Sequence, residues 1–377
     1  MTTARRALAT LLVGALALTA ACGGDDDGDA GSTDVDPVVA GEPFPSDRCE
    51  ANKAAGTITY LSGFDFAAAA SITEVIVADD RGYYDDLCLD VQLTPSFSTA
   101  NYPLIASNEA QFSSAGSFTE LASFSAANEA DLVALSIDGH SAIDVLMVHP
   151  EEVESLSELD GATIGVKEVL PPALAVMLTQ EANLTEGDDY STVPVQGFDP
   201  VAHWALPGLA GVTGWRSNEP GTLEREGLEF DVYDPVDYGI PGSFGVIYTN
   251  RAFLEQHPSA AEDFMRATVR GLADAIADPA GAAAVAVERI NSGGNPNFLS
   301  PEGETFRWAK DAETIVATTP EGTDVGVPIG EELEQAIDVY AEIGYWGDDE
   351  PPTIEGRYEP DLVASLYDDN GSVIWPG

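Results

Sequence analysis

Positive charge is scarce in this 377-residue chain, which carries 15 Lys and Arg residues against 65 Asp and Glu residues and a formal net charge of −50. The acidic residues are spread along the whole sequence. Like charge opposes approach to nucleic acid and to anionic membrane surfaces, so this composition argues against both as binding partners. The simplest interpretation is a solvated acidic shell in a salt-rich medium, where screening shortens self-repulsion. A surface that attracts cations is the alternative.

Histidine and cysteine are also rare, at 4 and 3 residues. The histidines are dispersed and show no triad or ligand partner, and the sequence contains no phosphate-binding glycine loop and no nucleotide-binding fingerprint. The sequence therefore predicts neither a metal site nor a cofactor. The histidines are His140, His149, His203 and His257.

The apolar run near the N-terminus, Ala7 to Leu18, is too short to remain in a bilayer as a spanning helix. It follows Arg5 and Arg6 and precedes small residues, a pattern typical of a signal peptide over residues 1–21. The stretch from Leu18 to Cys22 resembles a bacterial lipobox, which implies a lipid anchor on Cys22. The Gly- and Asp-rich sequence that follows predicts a flexible tether, over residues 22–53.

The cysteine count suggests a disulfide. If Cys22 carries a lipid, Cys49 and Cys88 remain as an even pair in an oxidising compartment. Two separate buried thiols are the alternative.

Strand-like and helix-like patterns alternate from Thr57 onward. Thr57 to Leu61, Ala67 to Arg81 and Leu89 to Leu93 form a strand–helix–strand unit, and a second series of such units opens at Thr163. This order predicts an α/β fold with mainly parallel sheets flanked by helices.

Two extended segments divide the chain into two predicted lobes, 54–145 with 246–377, and 146–245. We expect a hinge at Val145–His149 and Ser243–Asn250. Ligands of such sheets bind outside the carboxyl ends of the strands, so a cleft between the lobes is the predicted binding site.

The stretch 214–220 is the strongest local indication of a ligand. It presents the aromatic face of Trp215, the amide of Asn218 and the carboxylate of Glu219 on one predicted loop. Such a set suits a small ring that carries N–H donors or positive charge. A capped turn, with Asn218 bonding its own backbone, is the alternative.

Likeness to a known family is carried by four stretches: Val77 to Val91, Gln111 to Ser117, Leu159 to Val166 and Asp237 to Gly239. Their order and spacing resemble ABC-transporter solute-binding proteins of the sulfonate, nitrate and thiamine-pyrimidine-precursor family. The resemblance covers residues 56–344, with Cys88 at a position where glycine is usual. It implies a two-lobe type II periplasmic-binding fold, and the Ser217 to Pro220 loop together with Asp237 to Gly239 favours the pyrimidine-precursor branch.

The resemblance and the residue chemistry together predict further ligand contacts. Asp65 would accept hydrogen bonds from an exocyclic amine while Phe64 or Phe66 stacks on a ring, although an Asx-turn would also explain Asp65. Ser117 would offer its hydroxyl at a helix start, or act only as an N-cap. The second lobe would add Glu168, Asp237 and Tyr238.

Taken together, these features imply an extracytoplasmic, lipid-anchored, monomeric receptor that passes a small heteroaromatic solute to a permease and an ATPase. A sulfonate, taurine or nitrate receptor is the alternative, which the predicted carboxylates oppose because only Arg216 lies near them in sequence. A pyrimidine synthase of the same fold would need a cysteine-rich motif and an active-site histidine. A surface-tethered sensor remains open.

Overall fold

The computed structural model describes residues 35–167, 169–197, 199–295, 300–347 and 349–377. The predicted signal peptide, the predicted lipid-bearing Cys22 and the predicted ligand residue Glu168 lie outside the described residues.

The described strands form two five-stranded sheets. In chain order they are β1 (Thr57–Leu61), β2 (Asp90–Thr94), β3 (Phe112–Ala115), β4 (Leu132–Gly139), β5 (Asp144–Val148), β6 (Thr163–Val166), β7 (Ser191–Pro194), β8 (Gly211–Trp215), β9 (Asp231–Tyr233) and β10 (Phe244–Asn250).

The two sheets repeat one plan. The first has the order β2-β1-β3-β10-β4 and the second the order β7-β6-β8-β5-β9. In each, three neighbouring strands are parallel, and one antiparallel strand has crossed over: β10 pairs with β3 and β4, and β5 pairs with β8 and β9. The prediction of an α/β fold with two mainly parallel sheets is confirmed.

Helices connect and cover the strands. They are α1 (Ser46–Ala54), α2 (Thr73–Asp80), α3 (Tyr83–Asp86), α4 (Ser98–Ala106), α5 (Phe118–Asn128), α6 (Pro172–Ala182), α7 (Pro200–Trp204), α8 (Glu219–Arg225), α9 (Arg251–Gln256), α10 (Pro258–Ala277), α11 (Pro279–Gly293), α12 (Pro301–Thr318), α13 (Gly330–Glu342) and α14 (Pro360–Ala364), with short 3₁₀ helices at Leu156–Leu159 and Pro235–Tyr238.

The core of the first sheet is built on aromatic residues. Every residue of β4 and β10 is buried, as is typical of strands covered on both faces. Helix α10 packs its apolar side on this sheet, where Phe264 stacks on Phe112 with ring centroids 3.9 Å apart. This packing fixes the strand ends from which the site residues project.

Two connections join the sheets. Residues 140–143 lead from β4 into β5, and residues 234–243 lead from β9 into β10. The segments predicted as a hinge are, in the structure, mostly regular strand within β5 and β10.

The structure differs from the predicted tether in its last part. From Ser46 the chain forms α1, whose Arg48 is buried and binds the carboxylate of Asp263 on α10. Cys49 in α1 and Cys88, just before β2, form a disulfide. The small and polar residues of this segment do not indicate a helix by themselves. The helix is held by Asp263, which lies about two hundred residues further along the chain and cannot be recognised as a partner from local sequence.

Among the described residues, no helix is both long enough and apolar enough to cross a membrane.

Candidate functional site

A cavity of about 190 Å³ lies where strand ends of the two sheets face each other. Its walls include the residue after β6, the end of β8, the residues around the start of α8 and the first two turns of α12. Six of its lining residues carry the chemistry discussed below: Phe64, Lys167, Trp215, Asn218, Glu219 and Arg307.

An aromatic pair spans the gap between the sheets. Phe64 follows β1 in the first sheet, and Trp215 ends β8 in the second. Their rings meet edge to face, with centroids 5.8 Å apart and planes at 80°. Phe97 also meets the Phe64 ring edge to face, with centroids 5.7 Å apart. Edge-to-face contact is one of the arrangements that aromatic pairs favour.

Glu219 is buried beside the tryptophan and is held by two donors. Its Oε2 accepts the backbone N–H of Trp215 at 2.6 Å, and its Oε1 pairs with the Lys167 ammonium group. The Lys167 Nζ also lies 4.5 Å from the centroid of the Trp215 ring. The structure therefore joins the predicted aromatic and carboxylate to a cation that was not predicted.

The charge state of Glu219 follows from these contacts. Burial alone would raise the pKa of this carboxyl, but the charge and hydrogen bond of Lys167, together with the Trp215 N–H, hold the pKa below its usual value. Gly214 makes the arrangement possible, because a Cβ there would lie 2.8 Å from the Cβ and Cγ of Glu219. Glu219 is consequently a fixed anion at the cavity wall.

Asn218 connects this wall to α12. Arg307 is buried, and its Nη2 donates to Asn218 Oδ1 at 2.6 Å while its Nη1 binds both carboxylate oxygens of Glu304. A hydrogen bond across α8 and α12 thus closes one side of the cavity. The predicted alternative, in which Asn218 only caps its own turn, does not describe its side chain, which makes no cap hydrogen bond.

Helices α8 and α12 approach closely at the same place. A Cβ at Gly221 would lie 2.3 Å from the Phe306 ring, so glycine is needed for this contact. The loop prediction for 214–220 also changes here, because Trp215 belongs to β8 and Glu219 begins α8.

Three carboxylates bind backbone N–H groups of the loop between β1 and α2. Glu304 accepts from Ala68 at 2.6 Å, Asp311 from Ala70 at 3.0 Å and Asp138 from Ser71 at 2.7 Å. These donors at the strand end are consequently satisfied by the protein's own carboxyl groups. A solute oxyanion has no free N–H group among these three.

Three buried carboxyls beneath this loop, Asp138, Asp311 and Glu74, form no ion pair with the described residues, and their pKa values are raised. Burial raises the pKa of Asp138 to about 7 and that of Asp311 to about 6. Burial and the charge of Asp138 raise the pKa of Glu74 well above its usual value. Near the cavity, burial raises the pKa of the half-buried Asp144 to about 6, although Lys167 opposes the shift.

Asp65 and Phe66 face the protein interior. Asp65 is 4% exposed, and its carboxylate accepts the N–H groups of Phe66 at 2.7 Å and of Asn295 at 2.8 Å. Phe66 is buried in the core cluster that includes residues of α11 and α12. Of the three residues predicted in this loop, only Phe64 lines the cavity.

The remaining predicted residues lie away from the cavity wall. Ser117 caps α5 by accepting the N–H of Glu120 at 3.2 Å, which corresponds to the N-cap alternative. Asp237 and Tyr238 are exposed on the 3₁₀ helix Pro235–Tyr238, which packs near α6. None of the three lines the cavity.

Sequence reasoning missed Lys167, Arg225 and Arg307. It assumed Arg216 to be the cation near the carboxylates, but Arg216 is bound to Asp234 through its Nη2 and Nε. Lys167 had a usable signal, since it directly follows a predicted strand and is one of three lysines in the chain. Arg307 had none, because its partner Asn218 is 89 residues away.

No group of three or more His, Cys, Asp or Glu residues suited to a metal ion occurs within the described ranges. A second depression of about 410 Å³ lies on the surface beside α5 and α9 and contains none of the predicted ligand residues.

Curated relatives match parts of the chain. A formylaminopyrimidine-binding protein of Halalkalibacterium halodurans is 25% identical over 228 residues, which are 57% of this chain and 66% of that protein. The riboflavin-binding protein RibY of Chloroflexus aurantiacus is 29% identical over 127 residues, which are 33% of this chain and 35% of that protein. The matches thus span one third to just under two thirds of these relatives.

Solved structures share the fold. The periplasmic aliphatic sulphonate binding protein SsuA of Escherichia coli superposes with a TM-score of 0.61 at 12% identity, covering 81% of this chain and 92% of that one. The profile of the NMT1/THI5-like family matches residues 69–282, more than half of the chain. With its two sheets and the cavity between their strand ends, the chain belongs to the NMT1/THI5-like family.

Proposed function

We propose that this protein is the solute-binding receptor of an ABC importer and that it binds a small heteroaromatic solute of the aminopyrimidine class. The observation that carries the proposal is the contact of Phe64 and Trp215 from opposite sheets, with the buried anion Glu219 bound to the Trp215 N–H. A flat ring with N–H donors matches both, because it can stack on the indole and donate towards the carboxylate.

The size of the cavity supports a single ring. At about 190 Å³ it is smaller than the roughly 300–1,000 Å³ of pockets for drug-sized ligands. The similarity to a formylaminopyrimidine-binding protein agrees with this class. The backbone N–H groups of Ala68, Ala70 and Ser71, in the loop after β1, are bound by carboxyl groups of the protein, so these three are not available to a sulfonate or nitrate.

Binding is coupled to closure of two lobes, 54–145 with 246–377 and 146–245. Phe64 and Arg307 belong to the first and Trp215, Asn218 and Glu219 to the second. A ligand that touches both sets favours the closed arrangement, which is a population shift. The receptor is anchored outside the cytoplasmic membrane by lipid on Cys22, acts as a monomer and delivers its solute to a permease and an ATPase.

A thermal-unfolding screen tests the proposal. The protein purified without residues 1–22 is heated in high salt with aminopyrimidines, riboflavin, taurine, an alkanesulfonate and nitrate. Ligand at about 100 times its Kd adds about 2.7 kcal/mol to the free energy of unfolding, so an aminopyrimidine should raise Tm by a few degrees. A rise with sulfonate or nitrate alone would contradict the ring-binding site.

Substitution of the anion tests the same site. Glu219→Gln should weaken aminopyrimidine binding about tenfold or more, the typical effect of losing a charge-assisted hydrogen bond. The control is Glu224→Gln, an exposed carboxylate on the same helix that does not line the cavity. Equal affinities for the two variants by isothermal titration calorimetry would remove Glu219 from the site.

A further inference from the structure

The cavity extends beyond the aromatic pair towards the helices α8 and α12. This outer end is lined by Thr222 and Arg225 of α8 and by Ser300 and Gly303 at the start of α12. None of these residues takes part in the stacking and carboxylate contacts described above. These residues would therefore contact a part of the solute other than the ring.

Basic residues are concentrated at this cavity. The chain has 15 basic and 65 acidic residues, yet the cavity is lined by three of each: Lys167, Arg225 and Arg307 against Glu219, Glu226 and Glu304. The cavity lining therefore carries no net charge, although the chain as a whole carries −50. An anion is repelled less at this cavity than at most of the protein surface.

Arg225 has donors to spare. Lys167 is paired with Glu219 and Arg307 with Glu304, whereas Arg225 makes no ion pair within the described part of the chain. Its Nη2 donates to the Thr222 hydroxyl at 3.1 Å, and its guanidinium carbon lies 5.6 Å from the centroid of the Phe306 ring. A guanidinium has five N–H donors, so most of them remain for a ligand.

The start of α12 adds a second feature that favours negative charge. This helix runs for 18 residues from Pro301, and Ser300 caps it by accepting the Gly303 N–H at 3.0 Å. Helix N-termini stabilise anions through their dipole and free N–H groups. Glu304, in the first turn, is turned inward to the Ala68 N–H and Arg307.

Arg307 supplies an independent observation at the same cavity. Its side chain is buried, it lines the cavity, and its Nε is buried with no hydrogen-bond partner among the described residues. An unpartnered buried N–H group of a charged side chain is costly unless a ligand satisfies it.

We propose that the outer end of the cavity binds an anionic substituent, phosphate or carboxylate, carried by the ring solute, with Arg225 as its principal contact. This subsite rests on the proposed function, because the ring occupies the inner end between Phe64 and Trp215. Arg225 binds the substituent through paired N–H groups, in the fork geometry that suits both phosphate and carboxylate oxygens.

The test compares one ring in two forms. The affinities of a hydroxymethyl aminopyrimidine and of its phosphate monoester are measured by isothermal titration calorimetry at one fixed salt concentration. The wild-type protein should bind the ester about tenfold more tightly than the alcohol. In Arg225→Gln the ratio of the two affinities should fall to about one.

The matched control is Lys310→Gln. Lys310 lies on α12, is paired with Glu313 and does not line the cavity, so this variant removes one positive charge elsewhere. It should keep the tenfold ratio. A carboxymethyl analogue of the same ring distinguishes a carboxylate from a phosphate as the preferred substituent.

The outcomes separate this inference from the proposed function. Equal affinities of the wild-type protein for the ester and the alcohol would overturn the subsite and leave ring binding intact. A fall in the ratio of the same size in Lys310→Gln would also overturn it, since the effect would then be one of overall charge. Binding of neither form would overturn the proposed function and the subsite together.

Discussion

Two buried carboxylates, Glu219 at the cavity and Asp138 beneath the loop that follows β1, differ in charge although both are almost inaccessible, at 4% and 1% exposure. Glu219 has Lys167 and a backbone N–H, and its pKa lies below the usual value. Asp138 has one backbone N–H and no ion pair within the described ranges, and its pKa rises to about 7. The neighbouring groups, not burial, decide which carboxyl is charged.

The difference matches the places of the two groups. A fixed anion beside Trp215 can attract the N–H edge of a ring, whereas a carboxyl that exchanges its proton near neutral pH holds the loop from which Phe64 projects. A carboxyl group thus supplies a negative charge at the cavity in one place and a hydrogen bond to the loop backbone in the other, and its surroundings determine which. Substitutions of Asp138 and Lys167 test this contrast.

Asp138→Asn should remove a pH dependence of stability. A carboxyl whose pKa is raised in the folded protein, from 3.8 to about 7, favours folding in its protonated form. The wild-type protein should therefore lose stability relative to the variant as pH rises from about 4 to about 7, by roughly 4 kcal/mol in total, and little further above that range. Urea unfolding at several pH values measures the difference.

The asparagine keeps an oxygen for the Ser71 N–H, and its amide can donate towards Glu74. The exposed Asp188 provides the control, since Asp188→Asn should follow the wild-type pH profile. Parallel pH profiles for the wild type and Asp138→Asn would show that Asp138 is ionised throughout this pH range. The contrast between Asp138 and Glu219 would then be wrong.

Lys167→Met should make Glu219 resemble Asp138, a buried carboxyl without a cationic partner and with a raised pKa. Loss of the ammonium group leaves a buried anion with one backbone donor, at a cost of about 2–3 kcal/mol above neutral pH, moderated because Lys167 is partly exposed. The loss should shrink in acid, where Glu219 is protonated. Lys310→Met, which breaks an exposed pair with Glu313, should cost under about 1 kcal/mol.

The double variant Lys167→Met with Glu219→Gln sharpens this prediction. Removing both charges should recover part of the stability lost in Lys167→Met, because no buried anion remains. Strictly additive losses would mean that the two side chains do not interact in solution.

Asn218→Ala should have the smallest effect. It leaves the Arg307 Nη2 without its acceptor, at about 1–2 kcal/mol, and should weaken ring binding because α8 and α12 lose their cross-connection. Asn291→Ala, an exposed asparagine in α11, is the control for both measurements. Unchanged stability and affinity in Asn218→Ala would mean that α8 and α12 are held together by the packing of Phe306 on Gly221 and not by the hydrogen bond of Asn218.

The fold could be predicted from the sequence because its signals are local. Alternation of β-branched and apolar segments with helical spacing gave the βαβ units, and these correspond to strands β1, β2 and β6 to β8. Helix α1 was missed for the opposite reason, since Arg48 and Asn52 are buried only through Asp263 on a distant helix.

The site was predictable where its residues are neighbours in sequence. Trp215, Asn218 and Glu219 lie within five positions of each other and all line the cavity. Asp65, placed by the same reasoning, instead binds the Asn295 N–H, a contact that no local pattern encodes. Arg225 and Arg307 were overlooked because a basic residue on a helix usually indicates an exposed face.

Calorimetric titration of an aminopyrimidine into the wild-type protein, Trp215→Leu and Trp346→Leu tests the central claim most directly. Trp346 is half-buried and lies outside the cavity, so its variant controls for loss of an indole. We expect the wild type and Trp346→Leu to bind the ring, and Trp215→Leu to bind it about tenfold more weakly or worse. Equal affinity of all three proteins for the ring would contradict a site built on Trp215.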